Sequence, residues 1–502
     1  MPEASVRLRT RADLTQGELA QLPEGSDPGS AVTLTIPEAM TVLHLMSGYA
    51  ASTPACEAML RRHFTAMFVR ITGLDEGDEG EWTNKFREVL KSQKLSPEAV
   101  HAYTSQFVFD LADPERPYLQ NPALRHECSK TSSVGRLHAS RPSGNNAVFW
   151  NHTPEDEPMD PLSALEGILL WHGYGECGLG SSRTHEGVTS KTMRSAPYRA
   201  TVSYFPECAN LFLSTLLSCP PPSSWPKADS PDLAIWETQP NDPFNPPAPS
   251  GPVSLLAGRT AHHVLAGFND SGNVTKSWVA WGVEGKTPMP TARDPFILDR
   301  EKGGALRGDH RRALLRDFDS LLQAASAQKG ATAPTWMTTY SELAPEVVDS
   351  IGPVQIRAIG FEQDMRPMGD SIAYTATTPE AVASYLSDAR REGAQLVSRA
   401  RKACEGSEVA LVSRLNGLRR DVDPTGKNNP WTTDAKTLFW AQADTFFWSI
   451  LKDGGDPVEC VVDLAIQVYD EVTSDISGTE EGFMSTAKHR KWLNHDLRKI
   501  TD

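Results

Sequence analysis

The chain has 502 residues, enough for two or more domains with substantial cores, and its 39% apolar and 23% charged content is that of an ordinary soluble globular protein. A formal net charge of −15 argues against a free-standing, nonspecific nucleic-acid binder, yet leaves room for one basic groove on an acidic body. Seven scattered cysteines without a CxxC pair, an N-terminus (MPEASVRLRTRADL) without an apolar signal core, and no run approaching a membrane span point to a cytoplasmic chain with no membrane partner and no disulfide framework.

The first thirty residues are polar and rich in Gly, Pro and acids, and read as poorly ordered or edge structure. From Ile36 the apolar spacing predicts a helix with Pro37 in its first turn, followed by helices over 55–71 and 79–92. Ser96 and Pro97 read as the cap and first turn of a short helix ending at Tyr103. RPYLQ (116–120) precedes a stretch in which Arg125, Lys130, Arg136 and Arg141 face the single acid Glu127, and GNNAVFWNH (144–152) then reads as a strand end or a docking loop.

An apolar run, 165–171, leads into GYGECGLGSSRTHEGVTSKTMRSAPY (173–198). It holds Gly173, Gly175, Gly178, Gly180 and Gly187, with Arg183, Lys191, Arg194 and Arg199 in or beside it. Glycine lets a backbone press close against another surface, and the basic side chains suit a phosphate backbone. The plainer reading is a flexible surface connection. A second apolar run covers 202–217. Prolines crowd 219–253, a surface excursion, before short strands over 264–268 and 274–282 joined by a polar turn, and a helix over 308–324.

After Pro367 the texture changes to helices over 379–402, 434–451, 457–472 and 480–500, the third opened by Asp456, Pro457 and Glu459. The expected fold is α+β. A mixed N-terminal domain with short strands (1–368) precedes an all-helical C-terminal four-helix bundle (369–502).

No catalytic signature stands out. Gly285, Lys286 and Thr287 imitate the end of a phosphate-binding loop, but Ala280 replaces the required upstream glycine and Pro288 spoils the following helix. His172 and Cys177 are two metal-ligand types without partners, and His185, His262 and His263 read as ordinary surface or core histidines. Glu155, Asp156 and Glu157 read as a solvated charge run.

RPYLQ, NNAVFWNH, the apolar helix entering the glycine-rich basic loop, ATVSYF, Lys276 within TKSWVAW, IGFEQ (359–363), AKTLFWAQADTFFWSIL (435–451) and STAKHRKWLNHDLRKI (485–500) follow one another in a shared order. In that order, from about residue 40 to the end, the chain resembles the large subunit of the type I-E CRISPR surveillance complex, the CasA family of Cascade.

The resemblance implies recognition of a protospacer-adjacent motif in double-stranded DNA by a nonenzymatic subunit without cofactor. Lys276 matches the family's lysine finger, and one of the glycines from Gly173 to Gly187 matches its glycine loop, with Arg183, Lys191 and Arg194 as neighbouring DNA contacts. Gln363 matches the wedge that opens the first base pairs. Val148, Phe149, Trp150 and Asn151 match the loop docking on the 5′ handle of the CRISPR RNA. Implied partners are that RNA, the target duplex, the backbone, small and handle-binding subunits, and a helicase–nuclease recruited in trans. The CxxC pairs some members carry are missing, so no structural zinc is expected. Two other readings compete: a scaffold that bridges a ribonucleoprotein without reading a motif, and a metal-dependent hydrolase built around His172 and Cys177.

Overall fold

The computed structural model describes residues 2–138, 157–290, 292–300, 304–311, 313–325, 331–363, 371–380, 385, 392–425, 429–453, 455–478 and 480–500. The chain forms two compact units, one of Met1–Leu298, Gly303–Gly308 and Pro334–Thr375, the other of Asp299–Lys302, Asp309–Ala333 and Ala376–Asp502. This division differs from the single boundary expected after 368, because the 309–333 region belongs with the C-terminal helices. The mixture of helices and short antiparallel strands is the α+β class expected.

In the first unit, β1 (Ser5–Thr10) is the central strand of a three-stranded sheet, paired antiparallel with β2 (Ala31–Thr35) and β3 (Met46–Tyr49). Within the stretch read as poorly ordered or edge structure, Ser5–Thr10 is thus a central strand: Val6 and Leu8 alternate with exposed Arg7 and Arg9, the period of a half-buried strand. The helix predicted from Ile36 starts there, with Thr35 and Glu38 in a capping box, but ends at Thr41 so that Met46–Tyr49 can pair with β1.

Helix α1 (Pro54–Thr72) is the spine of this unit. Thr53 caps its N-terminus, Gly73 (φ +70°) closes it, and its residues from Ala55 to Val69 are buried on every side. Because it is enclosed, its charges are paired. Arg62 lies 3.1 Å from Asp294 and over the Tyr198 ring, while Glu57 takes both Arg61 and Arg357. Burial pushes the Glu57 carboxyl up, but the two guanidinium groups outweigh it and hold it below the usual range.

Helices α2 (Glu79–Ser92), α3 (Pro97–Thr104), α4 (Leu124–Glu127) and α5 (Pro161–Tyr174) follow. Then come strands β4 (Gly178–His185), β5 (Val188–Met193) and β6 (Val202–Glu207), and helix α6 (Leu211–Ser218). Strands β7 (His262–Phe268) and β8 (Val274–Trp281) form one hairpin. β9 (Gln355–Gln363) joins β6 antiparallel and carries β10 (Ser371–Thr377) on its other side. The proline-rich excursion is tethered by buried Trp236, whose indole N–H donates to the Tyr103 hydroxyl at 2.8 Å.

The second unit contains α7 (Ala313–Ala325), α8 (Glu392–Val422), α9 (Pro430–Asp453), α10 (Pro457–Val472) and α11 (Glu480–Leu497). The long α8 packs against each of the other four. It extends well past the expected end at Lys402. Gly406 and Gly417 lie inside it, where an added Cβ would stand 3.3 Å from Ile500 and 2.5 Å from His489. The missing side chains let the end of the chain close on the helix, which offsets their low helix propensity. Leu411, Leu415, Leu418, Phe439, Phe447, Val461, Leu464, Val468, Leu493 and Leu497 form the core of this unit. Asp456 caps α10 as its sequence predicts, accepting from the Val458 N–H at 2.9 Å.

Candidate functional site

The turn between β7 and β8 is built by Asn269, whose side-chain oxygen accepts from the N–H groups of Ser271 and Asn273, and by Gly272 at φ +78°. This fixes the register that sets Lys276 opposite Gly267. A Cβ on Gly267 would lie 3.2 Å from the Lys276 Cβ and 3.3 Å from the Trp278 ring, so glycine leaves the space beside the lysine clear. Lys276 is exposed. Along β8, Ser277 exchanges backbone hydrogen bonds with Ser132 at 2.7 and 3.2 Å, and Val274 does so with Met159 at 2.8 and 2.9 Å. Val148, Phe149, Trp150 and Asn151 lie outside the described residues.

The glycine-rich stretch is not a loop. Gly173 is buried inside the last turn of α5, against Met59 and Tyr198, and Gly175 follows the helix against Trp171 and His262. Both are packing glycines. The chain then forms the β4–β5 hairpin, whose turn residues Glu186 and Gly187 both have positive φ (46° and 81°), the mirror-image turn that suits strand twist. Between Leu179 and Arg183 the register shifts, and Gly180, Ser181 and Ser182 face Lys191 alone. This bulge bends β4 onto β8. A Cβ on Gly180 would stand 2.6 Å from the Val279 carbonyl oxygen, whereas one on Gly178 would meet nothing within 4 Å. Gly178 (φ +140°) and Gly180 are thus the open and the pinned glycine of one exposed strand end.

Arg183, a candidate DNA contact by sequence, is only 1% exposed and turns inward. Its guanidinium donates to Glu127 at 2.7 Å, to the Trp281 carbonyl at 2.6 Å and to His263 Nδ1 at 3.0 Å, and lies over the Trp281 ring. Asn121, next to RPYLQ, also reaches His263 Nδ1, at 2.8 Å. Two donors converge on that nitrogen, so it accepts and the ring is neutral; burial, then the Arg183 charge, push its pKa well below the ordinary value. The second Glu127 oxygen takes His185 Nδ1 at 2.6 Å. Burial raises the Glu127 carboxyl, but the His185 hydrogen bond and the Arg183 charge hold it low. Glu127, the lone acid of its basic stretch, is therefore the anchor of the hairpin, a role the sequence signals only by its isolation. Arg183 does not face solvent as a DNA contact would, because its side chain completes a buried charge network.

The remaining cations divide. Lys191 is exposed on β5, and Arg194, half-buried, donates to the Gly285 carbonyl at 2.6 Å. Arg136 donates to the Leu179 carbonyl at 2.7 Å while its own carbonyl accepts from the Trp171 indole. His262 places Nδ1 3.1 Å from the Trp171 carbonyl and Nε2 3.2 Å from that of Glu176, bracketing the exit from α5. Gln363 is the last residue of β9. Two positions earlier, Phe361 packs 5.7 Å from the Tyr174 ring and beneath Arg199, which brings the end of β9 to the end of α5 where the hairpin begins.

His172 and Cys177 do not converge as a metal pair: His172 is fully buried, its pKa pushed down to about 3 by burial, and Cys177 is exposed. Among the described residues no group of three or more His, Cys, Asp or Glu side chains is placed to hold a metal ion. No helix among the described residues is long and apolar enough to cross a membrane. Lys276 and Lys191 are exposed cations and Gly178 an exposed backbone position, groups that suit hydrogen-bond acceptors and phosphates.

The model of the CRISPR-associated protein Cse1 family matches residues 25–472. No curated protein sequence matches. Among solved structures, a chain of a "CRISPR RNA-guided surveillance complex" is 28% identical, with a TM-score of 0.81 and 98% of each chain covered. CasA from Thermus thermophilus shares the fold at 17% identity, a TM-score of 0.74 and 99% coverage of each chain. Cse1 from Thermobifida fusca does so at 14% identity and a TM-score of 0.76, with 99% of this chain and 97% of that one covered. The match across most of the chain establishes that this protein belongs to the CRISPR-associated Cse1 family, the CasA large subunits that its sequence resembles.

Proposed function

We propose that this subunit reads a protospacer-adjacent motif through the DNA minor groove and starts strand separation for a CRISPR RNA-guided surveillance complex, without catalysing a reaction itself. The minor groove is narrow and offers a degenerate pattern, so its reader needs a thin backbone and a long donor. Gly178–Gly180 provides the first and Lys276 the second. The observation that carries the reading is the seating of Gly180 on the Val279 carbonyl: it locks the glycine strand to the strand that bears Lys276. Gln363, at the end of β9, is the proposed wedge between the first base pairs. Target sequence is left to pairing with the guide RNA, and the protein reads only the motif.

Proposed partners are the CRISPR RNA, with residues 148–151 on its 5′ handle, the target duplex, and the backbone, small and handle-binding subunits. The C-terminal helical region is proposed to meet the small subunits and to license the helicase–nuclease. The test is duplex binding by the reconstituted guide-bearing complex, wild type against Lys276→Ala, on targets with and without the motif. The substitution is expected to erase the preference for the motif while assembly is retained, and wild-type affinity is expected to fall steeply with salt. Equal preference in both proteins would remove Lys276 from the reading set.

A further inference from the structure

We propose that Leu179 enters the minor groove beside the motif as an apolar wedge that partly unstacks the base step it meets. The proposal rests on the minor-groove reading above and names a contact that neither the lysine nor the glycines supply.

A single exposed leucine on a protein surface is ordinary. Leu179 differs in how it is mounted. It is 68% exposed, the most exposed large apolar side chain among the described residues. It stands between Gly178 and Gly180, so no side chain of its own strand neighbours shields it. A leucine between two glycines would be expected to flex, yet its backbone is held from three sides. Its carbonyl accepts from Arg136 at 2.7 Å, and Arg136 is itself stacked against Trp171. Its strand pairs with β5 at Thr192. The next residue, Gly180, is pressed onto the Val279 carbonyl by the bulge. The result is a stiff apolar prong that stands in water in the free protein. Lys276 lies three positions before Val279 on β8, about 10 Å along the strand, within the span of a few base pairs.

An apolar side chain presented from a thin backbone can do in a minor groove what a polar one cannot. It slides between adjacent bases, and the apolar surface it removes from water offsets the lost stacking. A step loosened there lowers the cost of opening the first target pair, so the wedge would couple motif reading to strand separation.

The experiment uses the reconstituted guide-bearing complex and duplexes whose motif has been identified by selection from a randomised flank. 2-Aminopurine, whose amino group stands in the minor groove, is placed singly at successive positions beside the motif and at the first target pair but not within the motif, and fluorescence and affinity are read together. Wild-type complex is expected to raise fluorescence at one step. Leu179→Ser and Leu179→Ala are expected to lose that rise and to bind the motif-bearing duplex about tenfold more weakly, with binding to motif-free duplex unchanged. Leu179→Met, long and apolar, is expected to retain both. Because Leu179 is exposed, these variants keep the fold, and assembly is checked by size-exclusion chromatography.

Lys276→Ala, run in parallel, separates two kinds of failure. If it abolishes motif preference while Leu179→Ser changes neither fluorescence nor affinity, the wedge is overturned and the groove reading stands. If neither variant alters preference, both are overturned. A wild-type complex that brightens no position also overturns the wedge.

Discussion

Arg183 carries the charge of a phosphate contact and the surroundings of a core residue. Its partners Glu127, His263 and the Trp281 carbonyl come from three separate stretches, so its removal strips Glu127 of its cation, leaving it to His185, and opens a gap under the Trp281 ring. Arg183→Ala is expected to destabilise the chain by about 3 kcal/mol, the scale for breaking a buried pair from one side. Lys191→Ala, on the exposed face of the same hairpin, should cost a few tenths of that at most. Denaturant unfolding of the two variants checks this, and equal losses would contradict it. The sequence could not separate these two residues. Both are basic and both lie in the glycine-rich stretch, and only the pairing of β4 with Cys128 and the packing on Trp281 decides which one faces inward.

At the scale of elements, the β4–β5 hairpin is defined by where it cannot accept a side chain. Gly180→Ala would bring a methyl group to 2.6 Å from the Val279 carbonyl oxygen, a backbone atom that cannot swing aside. The hairpin must then lift from β8, at a cost of about 1–3 kcal/mol. Gly285→Ala, with nothing within 4 Å of the added atom, is the control and should melt as wild type does. Thermal unfolding distinguishes them.

Elements with strong local signals were legible from sequence. Asp456 and Pro457 mark the start of α10, the helix read over 55–71 lies within α1, and Asn269 and Gly272 turn the β7–β8 hairpin. Elements whose form depends on distant partners were not. Glycines at 178, 180 and 187 suggested a loop, although they serve a bulged hairpin that needs β8 to seat it. Met46–Tyr49 carries a helical spacing that its pairing with β1 overrides. Of the site, Lys276 could be placed on its strand by the strand character of 274–282, whereas the anchor Glu127 could not, because nothing local says that two β4 residues converge on it.

For the molecule as a whole, the first unit encloses neutral histidines. Burial pushes His63 and His172 down to about 3, His262 to about 4, and His263 well below its ordinary value. An unfolded chain binds protons at these positions below about pH 6.5, and the folded one does not until pH 3–4. Their contribution to stability is therefore complete above about pH 6.5 and is lost as pH falls toward 3–4, by up to about 1.4 kcal/mol per pH unit for each histidine. Urea midpoints measured from pH 7.5 to 5 should decline below about pH 6.5; a flat profile would mean that these rings reach solvent. The enclosed core is also what holds the hairpin and β8 in one frame, and that frame is the basis of the proposed motif reading. The most direct test substitutes the motif one groove at a time. In the wild-type reconstituted complex, inosine for guanine or 2,6-diaminopurine for adenine alters only the minor-groove amino group at those base pairs, whereas 7-deazapurines remove a major-groove acceptor. Motif preference is expected to shift with the minor-groove substitutions and to survive the 7-deaza ones; the reverse pattern would contradict minor-groove reading by Gly178–Gly180 and Lys276.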